Sequence, residues 1–317
     1  MPSTLQRPPS LRPGDTVAVI APSSPVDGQR LTRGVALLES WGLRVRVGDH
    51  VLATAHQGML AGSDAQRAHD LVAAWTDPDV RAVLAARGGY GVTRMLPLID
   101  WTALAAAGPR WLVGSSDVTA LHAAVGRRLG LQTLHGPMPA SELLAGEDAD
   151  EHSAQVLRAA LFGTDAGSVQ GDPTWAWPQD SRRVTGRLVG GNLALLCSLT
   201  GTPGLPSAAD AVVLLEDVDE APYRIDRMLT HLRAAGWFAG AVGIVLGSFV
   251  RCGDPQTLRA VVEDRLTDLG VPVLGGLPVG HGRPQESLVL GSEVTLDAAA
   301  ASLSWGSAVA SRRSSST

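Results

Sequence analysis

Short β-branched runs alternate with helix-like segments through the first half of the chain, and this alternation is the strongest constraint on its fold. The predicted strands are Thr16–Ala21, Leu43–Val47, Val80–Ala85 and Trp111–Val113, and the predicted helices are Gln29–Trp41, Ala65–Thr76 and Val118–Leu129. Such a strand–loop–helix repeat is typical of an α/β domain, a parallel sheet with helices on both faces. Because ligands of these sheets bind outside the carboxyl ends of the strands, we expect the chemistry in the loops at that edge.

The chain has 317 residues, more than one core of ordinary size holds, so we expect two domains. The composition changes over Phe162–Val184, where glycines and prolines interrupt the pattern and Trp175 and Trp177 stand close together. We predict an N-terminal α/β domain over residues 1–163, a linker over 164–184 and a C-terminal domain over 185–317.

Charge and composition exclude several classes of function. The net charge is −5 and the isoelectric point is near 5.9, which argues against nucleic acid or an anionic membrane as a partner. The chain contains no lysine, so neither Schiff-base chemistry nor a lysine-bearing phosphate loop can operate. Its two cysteines, Cys197 and Cys252, are too few for a disulfide scaffold or a cysteine-rich zinc site. We recognise no secretory signal and no membrane-spanning run, and therefore expect a cytoplasmic protein.

Ser116 is a candidate nucleophile because it follows a predicted buried strand and precedes a helix. A helix N-terminus favours developing negative charge, and the backbone amide of Asp117 points toward the same space. An alternative is that Ser115 or Ser116 only caps the helix.

The glycine-rich loop that begins at Arg87 is a candidate anion site. Gly88, Gly89 and Gly91 follow a buried strand, and glycines allow backbone amides to turn outward and bind an oxyanion or a carboxylate. The spacing differs from the G-x-G-x-x-G pattern, which argues against a dinucleotide site. The alternative is a plain tight turn.

Glu216 and His281 are the remaining candidates. Glu216 ends the predicted strand Ala211–Leu215 and begins a run of charge that could equally be a solvated face. A metal site built from these carboxylates is a further alternative, although neither a nearby histidine pair nor a recognised ligand spacing supports it. His281 lies on a loop between two glycines, although a lone loop histidine is often uninvolved, and His135 is a weaker candidate. A serine, a histidine, a carboxylate and an amide nest are together the parts that acyl transfer requires.

Six segments in order resemble the LD-carboxypeptidases, serine peptidases that trim murein tetrapeptides and whose relatives include the microcin C self-immunity proteins. The segments are LRPGDTVAVIAPSSP (11–25), ARGGYGVTRMLPLID (86–100), GSSDVTAL (114–121), GRLVGGNLALLCSLTGTP (186–203), LLEDVDEAPYRIDRMLTHL (214–232) and LPVGHGRPQESLVLG (277–291). The resemblance runs from about Leu11 to Leu296.

The resemblance implies a role for each candidate. Ser116 matches the nucleophile, Glu216 and His281 complete a Ser-His-Glu triad, and the amides of Gly89 and Asp117 match the oxyanion donors. Arg87 is our candidate for binding the substrate carboxylate. No metal and no cofactor is implied.

The resemblance also implies a fold and an assembly. It predicts a flavodoxin- or amidotransferase-like N-terminal domain with a parallel sheet, a smaller β-rich swivelling C-terminal domain, and a homodimer. The nucleophile then comes from the first domain, and the glutamate and histidine come from the second.

The implied function is a cofactor-independent serine carboxypeptidase that hydrolyses the L-centre–D-alanine bond of murein tetrapeptides in peptidoglycan recycling. One alternative is hydrolysis of a microcin C-type aminoacyl nucleotide, in which Trp175 or Trp177 would stack on the base. Another is a non-catalytic protein that binds muropeptides. The expected partner is thus a muropeptide, with no nucleic acid and no membrane.

Overall fold

The computed structural model describes residues 5–165, 167–177 and 182–306. The chain folds into two compact units. The first comprises Met1–Thr164 with Ser287–Val289, and the second comprises Asp165–Glu286 with Leu290–Thr317.

The first unit is built on a six-stranded sheet in the order β12-β5-β4-β3-β1-β2. Its elements are β1 (Thr16–Ile20), α1 (Gly28–Ser40), β2 (Arg44–Val47), α2 (Asp64–Thr76), β3 (Val80–Ala85), α3 (Val92–Met95), α4 (Trp101–Ala107), β4 (Trp111–Gly114), α5 (Thr119–Leu129), β5 (Thr133–His135), α6 (Glu142–Ala145), α7 (Glu151–Phe162) and the late strand β12 (Leu288–Leu290). The pairs β1–β2, β1–β3, β3–β4 and β4–β5 are parallel, as the alternation predicts.

Both faces of this sheet are covered. Every residue of β1 and of β4 is buried, which requires packing on both sides because successive side chains of a strand point to opposite faces. The helices begin at side-chain caps: Asp27 accepts the Arg30 N–H at the start of α1, and Ser63 forms a capping box with Gln66 before α2.

The second unit is built on an eight-stranded mixed sheet in the order β6-β14-β13-β8-β9-β10-β11-β7. Its elements are β6 (Ser168–Gln170), β7 (Ala176–Trp177), β8 (Val184–Asn192), α8 (Leu193–Ser198), β9 (Ala211–Val218), α9 (Pro222–Ala234), β10 (Gly243–Val250), α10 (Pro255–Leu266), β11 (Val273–Leu274), β13 (Glu293–Asp297) and β14 (Ser302–Trp305). The four strands from β8 to β11 are parallel, and the strands outside them are antiparallel.

The structure differs from the sequence expectations at two connections. Part of the predicted linker forms β6 and β7 at the two margins of the second sheet; its residues 166 and 178–181 lie outside the described residues. The chain also returns to the first unit at Ser287–Val289, within the segment predicted to belong wholly to the C-terminal domain. Pairing of a short segment with a distant strand leaves no local sequence pattern. The strands in the linker and the return of the chain to the first unit could therefore not be predicted from the sequence.

Among the described residues, no helix combines the length and the apolar character needed to cross a membrane.

Candidate active site

Ser116 is presented by a strained turn. It begins a short 3₁₀ turn (Ser116–Val118) after β4 and has a φ of 60°, a left-handed conformation that costs a non-glycine residue of the order of 1–3 kcal/mol. Ser116 is half-exposed, whereas Ser115 is buried. In the described part of the chain, neither serine supplies a side-chain cap to this turn or to α5. The capping alternative is therefore wrong.

The glycine-rich loop after β3 packs directly against Ser116. A Cβ built on Gly88 would lie 2.9 Å from the Cβ of Ser116. Gly89 has a φ of 122°, and a Cβ there would lie 2.3 Å from the Oγ of Ser24. That same Oγ accepts the Tyr90 N–H at 3.1 Å. Only glycine allows these close approaches, so the glycines are what permit the loop to pack against Ser116 and Ser24.

The side chain of Asp117 joins the loops that follow β1, β3 and β4. Its Oδ2 accepts the hydroxyl of Ser23 at 2.7 Å and the N–H of Val92 at 2.9 Å. Asp117 is 2% exposed, and this burial raises the pKa of its carboxyl despite the two hydrogen bonds. The side chain of Asp117 therefore fixes the position of the turn that begins at Ser116.

Arg67 is a second buried element of this network, and sequence reasoning missed it. The guanidinium donates from Nη1 to the carbonyls of Pro22 at 2.5 Å and Gly91 at 2.8 Å, and from Nη2 to Asp64. It thereby ties the loop after β1 to the glycine-rich loop. In sequence, Arg67 is an ordinary polar residue of a helix, and only its distant acceptors reveal its role.

The buried Glu216 and the half-buried His281 form a hydrogen-bonded pair in the second unit. The Nδ1 of His281 lies 2.6 Å from the Oε2 of Glu216, whose side chain is fully buried. A Cβ on Gly280 would lie 2.4 Å from that oxygen, so the glycine before the histidine is what allows the approach. Burial disfavours the charged imidazole, but the hydrogen bond and the charge of Glu216 outweigh this, and the pKa of His281 is raised above 6.5.

The charge run that begins at Glu216 is solvated only in its second half, where Asp219 is exposed, and its first two carboxylates are buried. The strand continues through Val218, and Asp217 is 2% exposed. Asp217 accepts hydrogen bonds from the side chain of Asn192 at 2.9 Å and the N–H of Ala194 at 3.0 Å. Burial raises the pKa of Asp217 to about 6. The carboxylates of Glu216 and Asp217 therefore both lie within the sheet and are hydrogen-bonded to residues of the second unit.

The other candidates lie in plainer surroundings. Arg87 is exposed and donates from Nη1 to the carbonyl of Pro25 at 3.2 Å. His135 ends β5 and is buried. His122 is buried as well, donates from Nε2 to the carbonyl of Gly114 at 2.9 Å, and has its pKa lowered to about 4 by burial. No group of three or more His, Cys, Asp or Glu side chains within the described residues is arranged to hold a metal ion.

The candidates therefore fall into two groups, one in each unit. Ser116, Asp117 and the loop with Gly88 and Gly89 come together in the first unit. Glu216 and His281 come together in the second. Arg87 lies at the base of the glycine-rich loop and belongs to the first group.

Models of two protein domains match this chain. Residues 17–136 match the LD-carboxypeptidase N-terminal domain, and residues 185–296 match the LD-carboxypeptidase C-terminal domain. A protein of Streptomyces coelicolor that bears a provisional carboxypeptidase name is 47% identical over 298 residues, 93% of this chain and 94% of that protein. The murein tetrapeptide carboxypeptidase of Pseudomonas aeruginosa is 35% identical, over 89% of this chain and 92% of its own length.

Solved structures show the same fold. The muramoyltetrapeptide carboxypeptidase of Oxalobacter formigenes matches with a TM-score of 0.79 at 30% identity, over 91% of this chain and 97% of that one. An MccF-like protein of Bacillus anthracis matches with a TM-score of 0.84 over 95% of this chain and 99% of that one. Its identity is only 24%, so this second likeness concerns the fold alone. The expected fold class, with a parallel-sheet N-terminal domain and a smaller C-terminal one, is confirmed.

Proposed function

The chain belongs to the LD-carboxypeptidase family, and from that premise we propose that it removes the terminal D-alanine from murein tetrapeptides. The bond attacked joins this D-alanine to the L-centre of the preceding residue. The relatives named for murein carboxypeptidase activity are similar over about nine-tenths of the chain, which supports a substrate of this class.

The observation that supports the mechanism is the hydrogen bond between His281 and the buried Glu216. A carboxylate on Nδ1 holds the imidazole in one tautomer and leaves Nε2 to accept a proton. In our proposal Ser116 attacks the scissile carbonyl while His281 takes its proton. Glu216 orients the imidazole and stabilises its charged form.

The remaining steps follow from the same groups. The amides of Gly89 and Asp117 stabilise the oxyanion of the tetrahedral intermediate. His281 returns the proton to the amine of D-alanine as the C–N bond breaks, leaving the peptide esterified to Ser116. Water, activated by His281, hydrolyses this ester and restores the serine.

Two features support Ser116 over Ser115 as nucleophile. Ser116 is the half-exposed member of the pair, and its left-handed backbone matches the strained turns that present nucleophiles in other hydrolases. We propose Arg87 as a contact of the substrate carboxylate. The homodimer, the cytoplasmic location and the role in peptidoglycan recycling that the resemblance implies stay predictions.

The alternative substrate, an aminoacyl nucleotide, draws no support from the two tryptophans. Trp177 is 7% exposed, and the guanidinium of Arg259 lies 4.6 Å from its ring centre. Trp175 packs edge-on against Trp177, with ring centres 5.8 Å apart. Because these indole rings already pack against Arg259 and against each other, they offer little free ring surface on which a base could stack.

A substrate panel tests the proposal. The wild-type protein and its Ser116→Ala and Ser115→Ala variants are incubated with murein tetrapeptides, pentapeptides with a DD-linked end, and aminoacyl sulfamoyl adenylates, and the products are identified by mass spectrometry. We expect D-alanine from tetrapeptides alone, retained activity in Ser115→Ala, and a loss of about 10⁴–10⁶-fold in Ser116→Ala. Release from pentapeptides at equal rates, cleavage of the adenylates alone, or an inactive Ser115→Ala beside an active Ser116→Ala would contradict the proposal.

A further inference from the structure

Strand β10 carries a bulge opposite the buried Glu216. The pairing of β9 with β10 is regular up to Leu246↔Leu215 and resumes at Phe249↔Asp217. Residues 247 and 248 of β10 therefore oppose the single residue 216 of β9. A bulge of this kind bends the strand and turns a side chain away from its regular direction.

The residue at this bulge, Ser248, bonds to the loop of His281 on both sides of the histidine. Its Oγ accepts the N–H of Gly282 at 2.8 Å and donates to the carbonyl of Val279 at 3.0 Å. Its own N–H donates to the same carbonyl at 2.8 Å. The hydroxyl of Ser248 thus bonds to Val279, two residues before His281, and to Gly282, the residue after it.

Close packing stops the loop from moving nearer the sheet. A Cβ on Gly282 would lie 3.0 Å from the Cβ of Ser248, and one on Gly247 would lie 2.4 Å from the carbonyl oxygen of Val279. Such contacts prevent the loop of His281 from moving closer to β10, but they do not prevent it from moving away. The hydroxyl of Ser248 bonds the loop on both sides of the histidine, so it restrains the loop against moving away from β10.

We propose that Ser248 is a positioning residue for the general base, holding His281 at the angle from which Nδ1 meets Glu216 and Nε2 is left to accept a proton. This inference rests on the proposed role of His281 as base. The bulge places Ser248 on β10 beside Glu216 on β9. Glu216, which bonds to the imidazole, and Ser248, which bonds to its loop, therefore lie on two directly paired strands. Catalytic rates are sensitive to such placement, because an error of about 1 Å can cost about 10²-fold.

The experiment compares three substitutions of Ser248 with a matched serine elsewhere in the sheet. Ser248→Ala removes both side-chain hydrogen bonds, Ser248→Thr keeps the hydroxyl, and Ser248→Cys keeps the volume with weaker bonds. The control is Ser304→Ala on β14, where a half-buried serine donates to the carbonyl of Thr295 at 3.5 Å. For tetrapeptide hydrolysis we expect kcat to fall about 10–100-fold in Ser248→Ala with KM within about twofold. The threonine variant should recover most of kcat, and Ser304→Ala should match the wild type.

A readout independent of turnover is the low-field proton NMR signal of the Nδ1–H of His281 in its bond to Glu216. We expect this signal in the wild type, Ser248→Thr and Ser304→Ala, and its loss or broadening in Ser248→Ala. If Ser248→Ala does not fold, the cysteine variant replaces it, with the same direction expected for kcat and for the signal.

Unchanged kcat together with an unchanged signal in the folded variant overturns the inference, and so does a rise in KM alone. Failure of the proposed function has a different signature, an active His281→Ala. The NMR comparison still decides the positioning role of Ser248 in that case.

Discussion

Gly88 and Ser116 lie so close that a methyl group on the glycine would stand 3.2 Å from the Oγ of the serine and 2.9 Å from its Cβ. The backbone of Gly88 is not in the left-handed region, so an alanine there meets the serine and not a strained dihedral angle. We therefore expect Gly88→Ala to push the hydroxyl from its place and lower kcat about 10²-fold. Tetrapeptide kinetics measure this directly.

Gly126→Ala on α5 is the matched control. A Cβ at Gly126 meets its nearest neighbour at 3.5 Å, an ordinary contact. This variant should keep wild-type kcat and gain about 0.4–1 kcal/mol in unfolding free energy, because alanine restricts the unfolded chain. Equal kinetics of the two variants would show that Gly88 does not control the position of Ser116.

Strand β9 illustrates which parts of the site a sequence pattern predicts. The apolar run Ala211–Leu215 predicts the strand, but the structure extends it through Glu216 and Asp217 to Val218. These carboxylates can be buried because their partners, His281 and Asn192, lie 65 and 25 residues away in the chain. A local pattern contains no information on such distant partners, so it predicts that a strand ends where its buried polar residues begin.

The same reason explains the residues that sequence reasoning missed. Arg67 and Ser248 bond mainly to backbone carbonyls and amides of remote loops, and any residue can supply these backbone groups. Ser116, Glu216 and His281 could be predicted as site residues because the motifs that contain them are specific in residue type and order. The assignment of the reacting groups thus stays a prediction from motifs, and the structure adds the groups that bond to the loops around them.

The raised pKa of His281 predicts where the rate depends on pH. Neutral imidazole is required to take the serine proton, so kcat/KM should fall tenfold per pH unit below the pKa of the free enzyme. Since Glu216 raises this pKa above 6.5, the acidic limb of the profile should lie above pH 6.5.

Two variants should move this limb in opposite directions. The charge of Arg251 acts to lower the pKa of His281, so Arg251→Gln should shift the limb to higher pH. Glu216→Gln should shift it to lower pH, with a lower maximal rate because the imidazole loses its orienting partner. Profiles of kcat/KM from pH 5 to 9 provide the comparison, and a limb that neither substitution moves would exclude His281 as the titrating group.

Asp217 predicts an unusual dependence of stability on pH. Burial raises its pKa from 3.8 to about 6 in the folded state, so between these values the folded protein binds the additional proton. The resulting stabilisation is fully present below the unfolded pKa and is lost as pH rises through about 6. A shift of about two units corresponds to at most about 3 kcal/mol.

The measurement is urea unfolding at pH 5 and pH 7.5. The difference in unfolding free energy between the wild type and Asp217→Asn should favour the wild type more at pH 5 than at pH 7.5. Asp217 gains its stabilising proton at the lower pH, whereas asparagine does not titrate. Asp210→Asn, at an exposed position before β9, should keep the wild-type pH dependence. A pH dependence that is the same in Asp217→Asn and the wild type would contradict the prediction.

Recognition of a free terminal carboxylate is expected to separate this enzyme from an endopeptidase. Amidation of the terminal D-alanine leaves the scissile bond similar but removes the charge, and donors built for a carboxylate then lose about 1–3 kcal/mol for each buried group left unpaired. Because Arg87 is the proposed contact of this carboxylate, Arg87→Ala should raise KM for the free tetrapeptide about tenfold, while the slow hydrolysis of the amide changes little. Arg81→Ala, at an exposed position of β3, is the control and should leave both substrates unaffected. If Arg87→Ala weakens the free acid and the amide equally, Arg87 contributes to the site in another way than by binding the carboxylate.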